Sequence, residues 1–536
     1  MARTTRYYVG IDFGTTNSSV ARIAVKARRS RRQPDVAPEV LALQNGYGTK
    51  ELVRTVLFFS PDGRVMTEEV PAFEQPERGV LSLKRKIMEN RHYTKTINGR
   101  VYRAEELVGL FLQELLRQAE LRLSMIERLV LSVPTGDRHD WKDVLLAGAV
   151  RCGIKEEQVW FVDEPIAVLW DYKDTLVRRL PDDAPVLVFD FGGGTLDLAV
   201  MDKGHSLSST DPAADHHRRS LIWAKRGIPV GGDDLDEVIL RLLIEKGQAQ
   251  GNVVCQQINT ELFASPERLG RFREHPVYAR LKRHAELIKA ELSHVEAVPV
   301  AIPPLLPRVD RMGLVGLRME RDEWVQAAEP IWAQIREGLC RLDQDLQANQ
   351  GKSLADVQAV LLSGGSSQVP YVMDLLEEAL PQARLIFDEH LQTRICRGNA
   401  RYGRDDHEWA LEDTVGVAIG VYNHRQGKVN VLIPENSTYP VEVTRRIATT
   451  RPEQRAIDIR PMIGKDGAFQ PLYRDAQAVA CRMQIQPVAT VGDYERFSLT
   501  LTLDKSQRLQ IRAYDHQFDE TVGVEEIAWP EEPQLP

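Results

Sequence analysis

Cysteine is scarce and scattered. The five residues at 152, 255, 340, 396 and 481 form no CxxC pair and no CxxC…H spacing. That excludes a zinc finger or ribbon and a disulfide-stapled secreted module, and fits five ordinary buried thiols in a reducing cytoplasm. No run of 18 apolar residues occurs, and MARTTRYYVGIDFG enters an apolar strand at Tyr7 without a signal-peptide core. No membrane span and no secretion are therefore expected. Basic surplus is missing too: 69 Lys and Arg stand against 77 Asp and Glu, for a formal charge of -8, so the electrostatic footprint of a nucleic-acid binder is absent. Residues 26–32, KARRSRR, are a local exception and read as a solvated loop.

What is present is an ordinary globular composition, 43% hydrophobic and 27% charged over 536 residues. Single cores stop growing at roughly 250–300 residues, so two or three domains are expected. Up to about residue 405 apolar strands alternate with amphipathic helices, the pattern of an α/β layer fold. Residues 104–127 read as one amphipathic helix, with Leu107, Leu110, Phe111, Leu115 and Leu121 on one face. Residues 129–134 read as a buried strand, 159–165 as a strand and turn, and 205–226 as an extended loop in which His216 and His217 are solvated.

The sharpest signal is a repeated unit. Tyr7 to Ile11 is an apolar strand that runs into Asp12, Phe13, Gly14, Thr15, Thr16 and Asn17, then returns as a second strand from Ser19. Val186 to Leu198 repeats it, with Asp190, Phe191, Gly192, Gly193, Gly194, Thr195 and Asp197. Glycine lets backbone N–H groups approach an anion, and hydroxyls add donors, so each turn suits a phosphate. No helix follows directly and no G-x-x-x-x-G-K-[ST] spacing is present, so neither is a Walker loop. Two copies predict a duplicated pair of lobes, each presenting a phosphate hairpin to a shared cleft. Ser363, Gly364, Gly365 and Ser366 form a third glycine turn after a strand, ahead of a helix opened by Pro370. In the predicted helix 278–293, spacings of three and four bring Glu286, Lys289 and Ser293 near one face.

After about residue 405 the period changes to two. Phe497, Leu499, Leu501 and Leu503 alternate with polar residues, residues 504–507 turn the chain, and Leu509, Ile511 and Ala513 alternate again. With strands near 417–421, 429–433, 441–447 and 456–459 this predicts a β-sandwich, closed by the acidic, proline-rich WPEEPQLP.

VGIDFGTTNSSVA, FVDEPIAVL, VFDFGGGTLDLAV and VLLSGGSSQVP, in that order, resemble the seventy-kilodalton heat-shock chaperones of the DnaK type over the whole chain. The resemblance implies an actin-like two-lobed ATPase domain over 1–405, a linker over 406–415 and a β-sandwich over 416–536 that binds extended peptides. It implies ATP or ADP with Mg2+ as ligands. Asp12, Asp190 and Asp197 would hold the ion mostly through water, and the turn Gly14, Thr15, Thr16 and Asn17 would cradle phosphates with Gly192, Gly193, Gly194 and Gly231. Lys84 would reach the phosphates, Glu164 would position the attacking water, and Thr195 would contact the γ-phosphate. Glu286, Lys289 and Ser293 would line the adenosine, opposite Gly364, Gly365 and Ser366. Val421, Ile447 and Ile457 would line an apolar peptide slot, with plain sandwich core as the alternative for all three.

Departures from that pattern carry expectations of their own. Ala290 and Gln368 stand where an arginine sandwich would flank adenine, and His390, Leu391 and Gln392 replace an Asp-Pro contact, so nucleotide binding is expected to be weaker. Trp160 and Asp163 replace an Arg and an Asn of the J-protein contact, which argues against the usual J-domain co-chaperone. The linker reads Trp409, Ala410, Leu411 and Glu412, with weakened docking expected, while Pro134 and Lys142 keep the pattern between lobes. The chain stops at Pro536 without a helical lid, so peptide release is expected to be fast. Partners are then unfolded or extended protein segments, with a nucleotide-exchange factor, or one dedicated protein served by an ATPase adaptor. A small-molecule kinase of the actin superfamily is the further alternative, with Glu164 or Asp190 as base; it leaves the β-rich region unexplained.

Overall fold

The computed structural model describes residues 5–527, apart from 26–35, 46–47, 69–70, 73–74, 76, 135–138, 182–183, 203–217, 259–265, 274, 307–308, 310–312, 406–408, 415–417, 425, 435–436, 450–451, 466–467, 475–476, 489–494 and 504–508. The basic stretch 26–32, the His216 and His217 pair, the turn 504–507 and the WPEEPQLP tail lie outside the described residues. The fold is mixed α/β, and the chain divides into two compact units. One is Met1–His205 with Ala224–Glu408, the other Ser206–Trp223 with Trp409–Pro536.

Two sheets of matching layout organise the first unit. In one, Val159–Asp163, Ile126–Val133 and Tyr7–Phe13 run parallel, Asn17–Ala24 returns antiparallel, and Glu39–Val40 follows. In the other, Arg384–Ile386, Ala359–Ser363 and Pro185–Phe191 run parallel, and Leu196–Asp202 returns antiparallel. Each hairpin puts two polar residues side by side, Asp12 against Ser19 and Asp190 against Asp197. Alternation turns Val9, Ile11 and Phe13 the other way, into a core shared with Leu107, Phe111 and Leu115 of the helix Ala104–Gln118. The Phe13 and Phe111 rings lie 4.8 Å apart. Burying each such side chain contributes about 1.5–3 kcal/mol, so the strand that carries Asp12 is held from behind.

Three elements differ from the sequence reading. The helix read over 104–127 ends at Gln118, because Glu120 adopts φ 53° and Ile126 already begins a strand. The turn read at 159–165 is the start of a helix, Glu164–Arg179. Within the loop read over 205–226, Arg218–Ile228 is a strand.

That strand explains the linker in the second unit. Trp409–Thr414 is itself a strand, parallel to the first strand from Arg218↔Trp409 to Leu221↔Glu412, and its Asp413 and Thr414 pair with Tyr439 and Thr438. Beyond it lie two four-stranded antiparallel sheets. One runs Lys428–Ile433, Ala418–Asn423, Pro461–Lys465, Ala468–Pro471; the other Val441–Ile447, Phe497–Leu503, Leu509–Asp515, Glu520–Ile527. Ile419, Ile433 and Ile463 from the first and Leu499, Leu501 and Ile511 from the second share one apolar cluster, as period-two patterning requires.

Candidate functional site

The two glycine hairpins of the first unit meet tip to tip. A Cβ on Gly193 would sit 2.1 Å from Thr16 Oγ1, so the second turn approaches the first more closely than any side chain permits. Gly192 N–H closes its own turn on Thr195 O at 3.0 Å. Gly192 O and Gly193 O accept from the N–H groups of Gly232 and Asp233, at 3.0 and 2.7 Å, in the first turn of the helix Gly232–Ala249. Ser366 Oγ–H donates to Gly192 O at 2.8 Å, which brings the third glycine turn to the same place.

These turns border an open cleft of about 280 Å³. It gathers Asp12, Gly14, Thr15, Thr16, Asn17, Lys84, Glu164, Asp190, Gly192, Gly193, Gly194, Thr195, Glu286, Lys289, Ser293, Gly364, Gly365 and Ser366, residues spread over more than 350 positions of sequence. Ala290, Gln368 and Gln392 line it as well. Two residues expected at the site stand behind its wall. Gly231 packs against Gly193 O, where a Cβ would come within 2.3 Å, and Asp197 is fully buried beside Asp190.

At the floor, charge is concentrated. Lys84 Nζ donates to Glu164 Oε1 at 2.6 Å, both side chains nearly inaccessible. Glu164 is the first residue of its helix, where the backbone N–H groups and the helix dipole favour a carboxylate. Carboxylate oxygens of Glu164, Asp190 and Asp197 lie within 4.8 Å of one another. Burial, and then repulsion from Glu164, push the Asp12 carboxyl up to about 7 against the pull of Lys84. Burial, Glu164 and Asp12 raise Asp190 as well, against the pull of Ser363 and Lys84. Burial pulls Lys84 down, but Glu164, Asp12 and Asp197 outweigh it, so its ammonium is held above the ordinary lysine value. One ammonium among the buried Glu164, Asp190 and Asp197 and the half-buried Asp12 leaves the site short of positive charge, and no hydrogen-bond partner reaches Asp190 Oδ1 among the described residues.

The outer end is different chemistry. Glu286 pairs with Arg54, and Lys289 Nζ donates to Gly232 O and pairs with Asp236, each at 2.8 Å. Ser293 Oγ–H donates back to Lys289 O at 3.1 Å. His294 and Leu52 complete this end. Sequence reasoning missed a second charged layer here. Lys282 pairs with Asp233 at 2.9 Å and Asp236 at 2.7 Å, and Arg85 reaches Asp234 at 3.1 Å. Burial raises the Asp233 carboxyl, but Lys282 and Arg85 prevail and hold it at about 2. Residues 231–234, GGDD opening a helix, were the available signal; the basic partners 50 and 150 positions away were not.

In the second unit Val421, Ile447 and Ile457 are half-buried and pack against its apolar cluster from three different strands.

The profile of the family described as Hsp70 protein matches residues 77–489. The chain belongs to the Hsp70 family. It is 24% identical over 527 residues to the chaperone protein DnaK of Picrophilus torridus, covering 95% of this chain and 75% of that protein. Hsp70 family members are ATPases that bind nucleotide with Mg2+, and the match makes this chain a divergent Hsp70-type chaperone. Among the described residues no helix is long and apolar enough to cross a membrane.

Proposed function

We propose that the cleft binds ATP with magnesium and hydrolyses it to ADP and phosphate, and that nucleotide state switches the second unit between weak and tight binding of extended peptide segments. The observation that carries this reading is the apposition of two phosphate-type hairpins over a floor of carboxylates and one lysine, in a member of a family of ATPases. Two sheets of the same strand order support an actin-like ATPase domain over 1–405, with 406–415 as connection. Two antiparallel sheets over one core support a β-sandwich from 416 onward. The protein is read as cytoplasmic.

Phosphoryl transfer needs positioning and charge more than a protein nucleophile. In this reading the N–H groups of residues 14–17 and 192–195 bind the phosphate chain, Thr195 Oγ–H donates to its terminal group, and Lys84 adds positive charge. Glu164, oriented by its helix start and by Lys84, accepts a hydrogen bond from the attacking water. The oxygen set of half-buried Asp12 and buried Asp190 and Asp197, with Asp190 Oδ1 unpartnered among the described residues, fits a hard divalent cation that retains water. When bound, such an ion neutralises charge on phosphate oxygens. At the outer end Ala290 and Gln368 offer no guanidinium to stack on a base, so base binding rests on Glu286, Lys289 and Ser293.

A second reading, an adaptor for one dedicated partner, is favoured by one observation. Trp160 lies under Arg128, whose guanidinium is 3.1 Å from the ring centre, and Asp163 pairs with Lys225 at 3.1 Å. The positions that the family resemblance assigns to J-protein contact are thus engaged within the first unit. Single-turnover ATP hydrolysis with magnesium, on wild type, Glu164→Ala and Thr195→Ala, with and without a panel of extended apolar peptides, tests both. Loss in the variants with stimulation by many peptides supports the general chaperone. Loss without any stimulation supports the dedicated adaptor. Hydrolysis that survives both substitutions refutes the site.

A further inference from the structure

Asp171 is a buried carboxylate outside the cleft lining, in the third turn of the helix that Glu164 begins. Three arginines of one other helix, Arg394–Asp405, converge on it. Arg394 Nη1 donates at 2.6 Å, Arg397 Nε at 3.0 Å and Arg401 Nε at 3.4 Å. The Asp171 side chain is fully inaccessible, and Arg394 and Arg401 are nearly so. An ion cluster taken so completely out of water costs desolvation and is weak evidence of net stability, so its presence calls for another reason.

Geometry supplies one. Glu164, Ala167 and Asp171 recur at spacings of three and four and share a helix face. A Cβ on Gly398 would lie 1.8 Å from Ala167 O, so the two helices touch backbone to backbone one turn from the ion cluster. Each helix is tied to a different sheet. Tyr172 O–H points between Leu362 O at 3.1 Å and Ile386 O at 3.2 Å, in the sheet that carries Asp190. Asn399 Nδ2–H donates at 2.8 Å to the carbonyl of Ile11, the residue before Asp12. The Arg394 guanidinium also stacks on the Tyr172 ring, 3.8 Å from its centre.

We propose that Asp171, clamped by Arg394, Arg397 and Arg401, is a positioning residue for the reaction: it fixes the helix of Glu164 against the helix seated on the Asp12 sheet, and so sets the distance from Glu164 to both halves of the floor. The inference rests on the proposed role of Glu164. The clamp acts on alignment and not on nucleotide affinity, because none of its members lines the cleft. A small displacement of an aligned group costs up to about 100-fold in rate.

The test is single-turnover hydrolysis of bound ATP by the full chain, together with nucleotide Kd, for Asp171→Asn, Glu164→Gln and the double variant. Asp171→Asn is expected to slow hydrolysis about 10- to 100-fold with Kd within about threefold, and to add no loss in the Glu164→Gln background. A normal rate in Asp171→Asn, a parallel loss of affinity, or an undiminished further loss in the double variant overturns the proposal. If Glu164→Gln itself hydrolyses at the wild-type rate, the role of Glu164 fails instead. Should Asp171→Asn not fold, Arg397→Gln, at the most accessible of the three arginines, is read by the same criteria.

Discussion

The crowded carboxylates at the cleft floor predict that the metal-free protein is destabilised by alkali, the reverse of ordinary acid denaturation. Asp12 is raised from 3.8 to about 7 by burial and by Glu164. A carboxyl whose folded value lies above its unfolded one binds its proton more tightly in the fold. Its contribution is therefore favourable below about pH 4 and is progressively lost as pH rises to about 7, above which the cost is constant. About three pH units at about 1.4 kcal/mol each make about 4 kcal/mol for ionising Asp12 in the empty site, and Asp190 adds a cost of the same sign. A divalent cation bound there cancels the cost. The assay is thermal unfolding of the full chain from pH 5 to 8, in EDTA and in millimolar magnesium, for wild type and Asp12→Asn. Subtracting the variant removes the titrating groups that do not feel Asp12; Asp190 and Lys84, which do, remain in the difference. In EDTA wild type is expected to lose several degrees relative to Asp12→Asn between pH 5 and 8, and magnesium is expected to restore most of that loss. Parallel curves for the two proteins in EDTA would refute the argument, since Asp12 would then ionise in the fold as easily as in the unfolded chain.

Two further substitutions probe one unit each. Gly364 has φ 83°, and a Cβ there would lie 2.2 Å from Phe191 O, so Gly364→Ala should displace the third turn from Gly192 and weaken nucleotide binding about tenfold, at a cost of roughly 1–3 kcal/mol in backbone strain; equilibrium titration with a fluorescent nucleotide checks this, and unchanged affinity contradicts the contact. In the second unit Arg496 chelates Asp515, 2.9 Å from Nε, with both side chains buried, so Asp515→Asn should cost about 3–5 kcal/mol by leaving the guanidinium uncompensated; denaturant unfolding followed in the second unit measures it, and a loss below about 1 kcal/mol would show that water reaches the pair.

What could be read from sequence follows from the range of the forces involved. The two hairpins were legible because glycine turns and period-two strands are local, and their polar residues, such as Asp190 and Thr195, lie within a few positions of one another. The strand Arg218–Ile228 was not, because the polar run from His205 lacks periodicity and hides where the strand begins, and of its two neighbours, Leu196–Asp202 and Trp409–Thr414, the second pairs from about 190 positions away. Helix 104–118 was overextended because apolar spacing continues through Leu121, while the left-handed Glu120 that ends it is not a residue type that announces such a turn. The Asp171 cluster escaped for an opposite reason. Arg394, Arg397 and Arg401 at helical spacing look like a solvated face, and only the packing of two helices reveals Arg394 and Arg401 as buried and Arg397 as half-buried.

The repeat also separates what duplication can supply from what it cannot. Each half brings a central aspartate on its first hairpin strand, Asp12 or Asp190, with a serine at the corresponding place on the parallel neighbour: Ser363 faces Asp190, and Ser132 lies one residue beyond the Ile11↔Leu131 pair. In the proposed reading these matched parts bind a repeating ligand, a chain of phosphates. Nothing in the repeat, however, tells the terminal phosphate from the one before it. That distinction must come from residues present once, and the floor has two of them: Lys84, from a helix between the strands of the first half, and Glu164, from the crossover that leaves it. They pair with each other at 2.6 Å. If Glu164 holds the attacking water as proposed, that water sits beside a residue the repeat does not duplicate, which supplies the asymmetry that in-line attack on a single phosphorus requires.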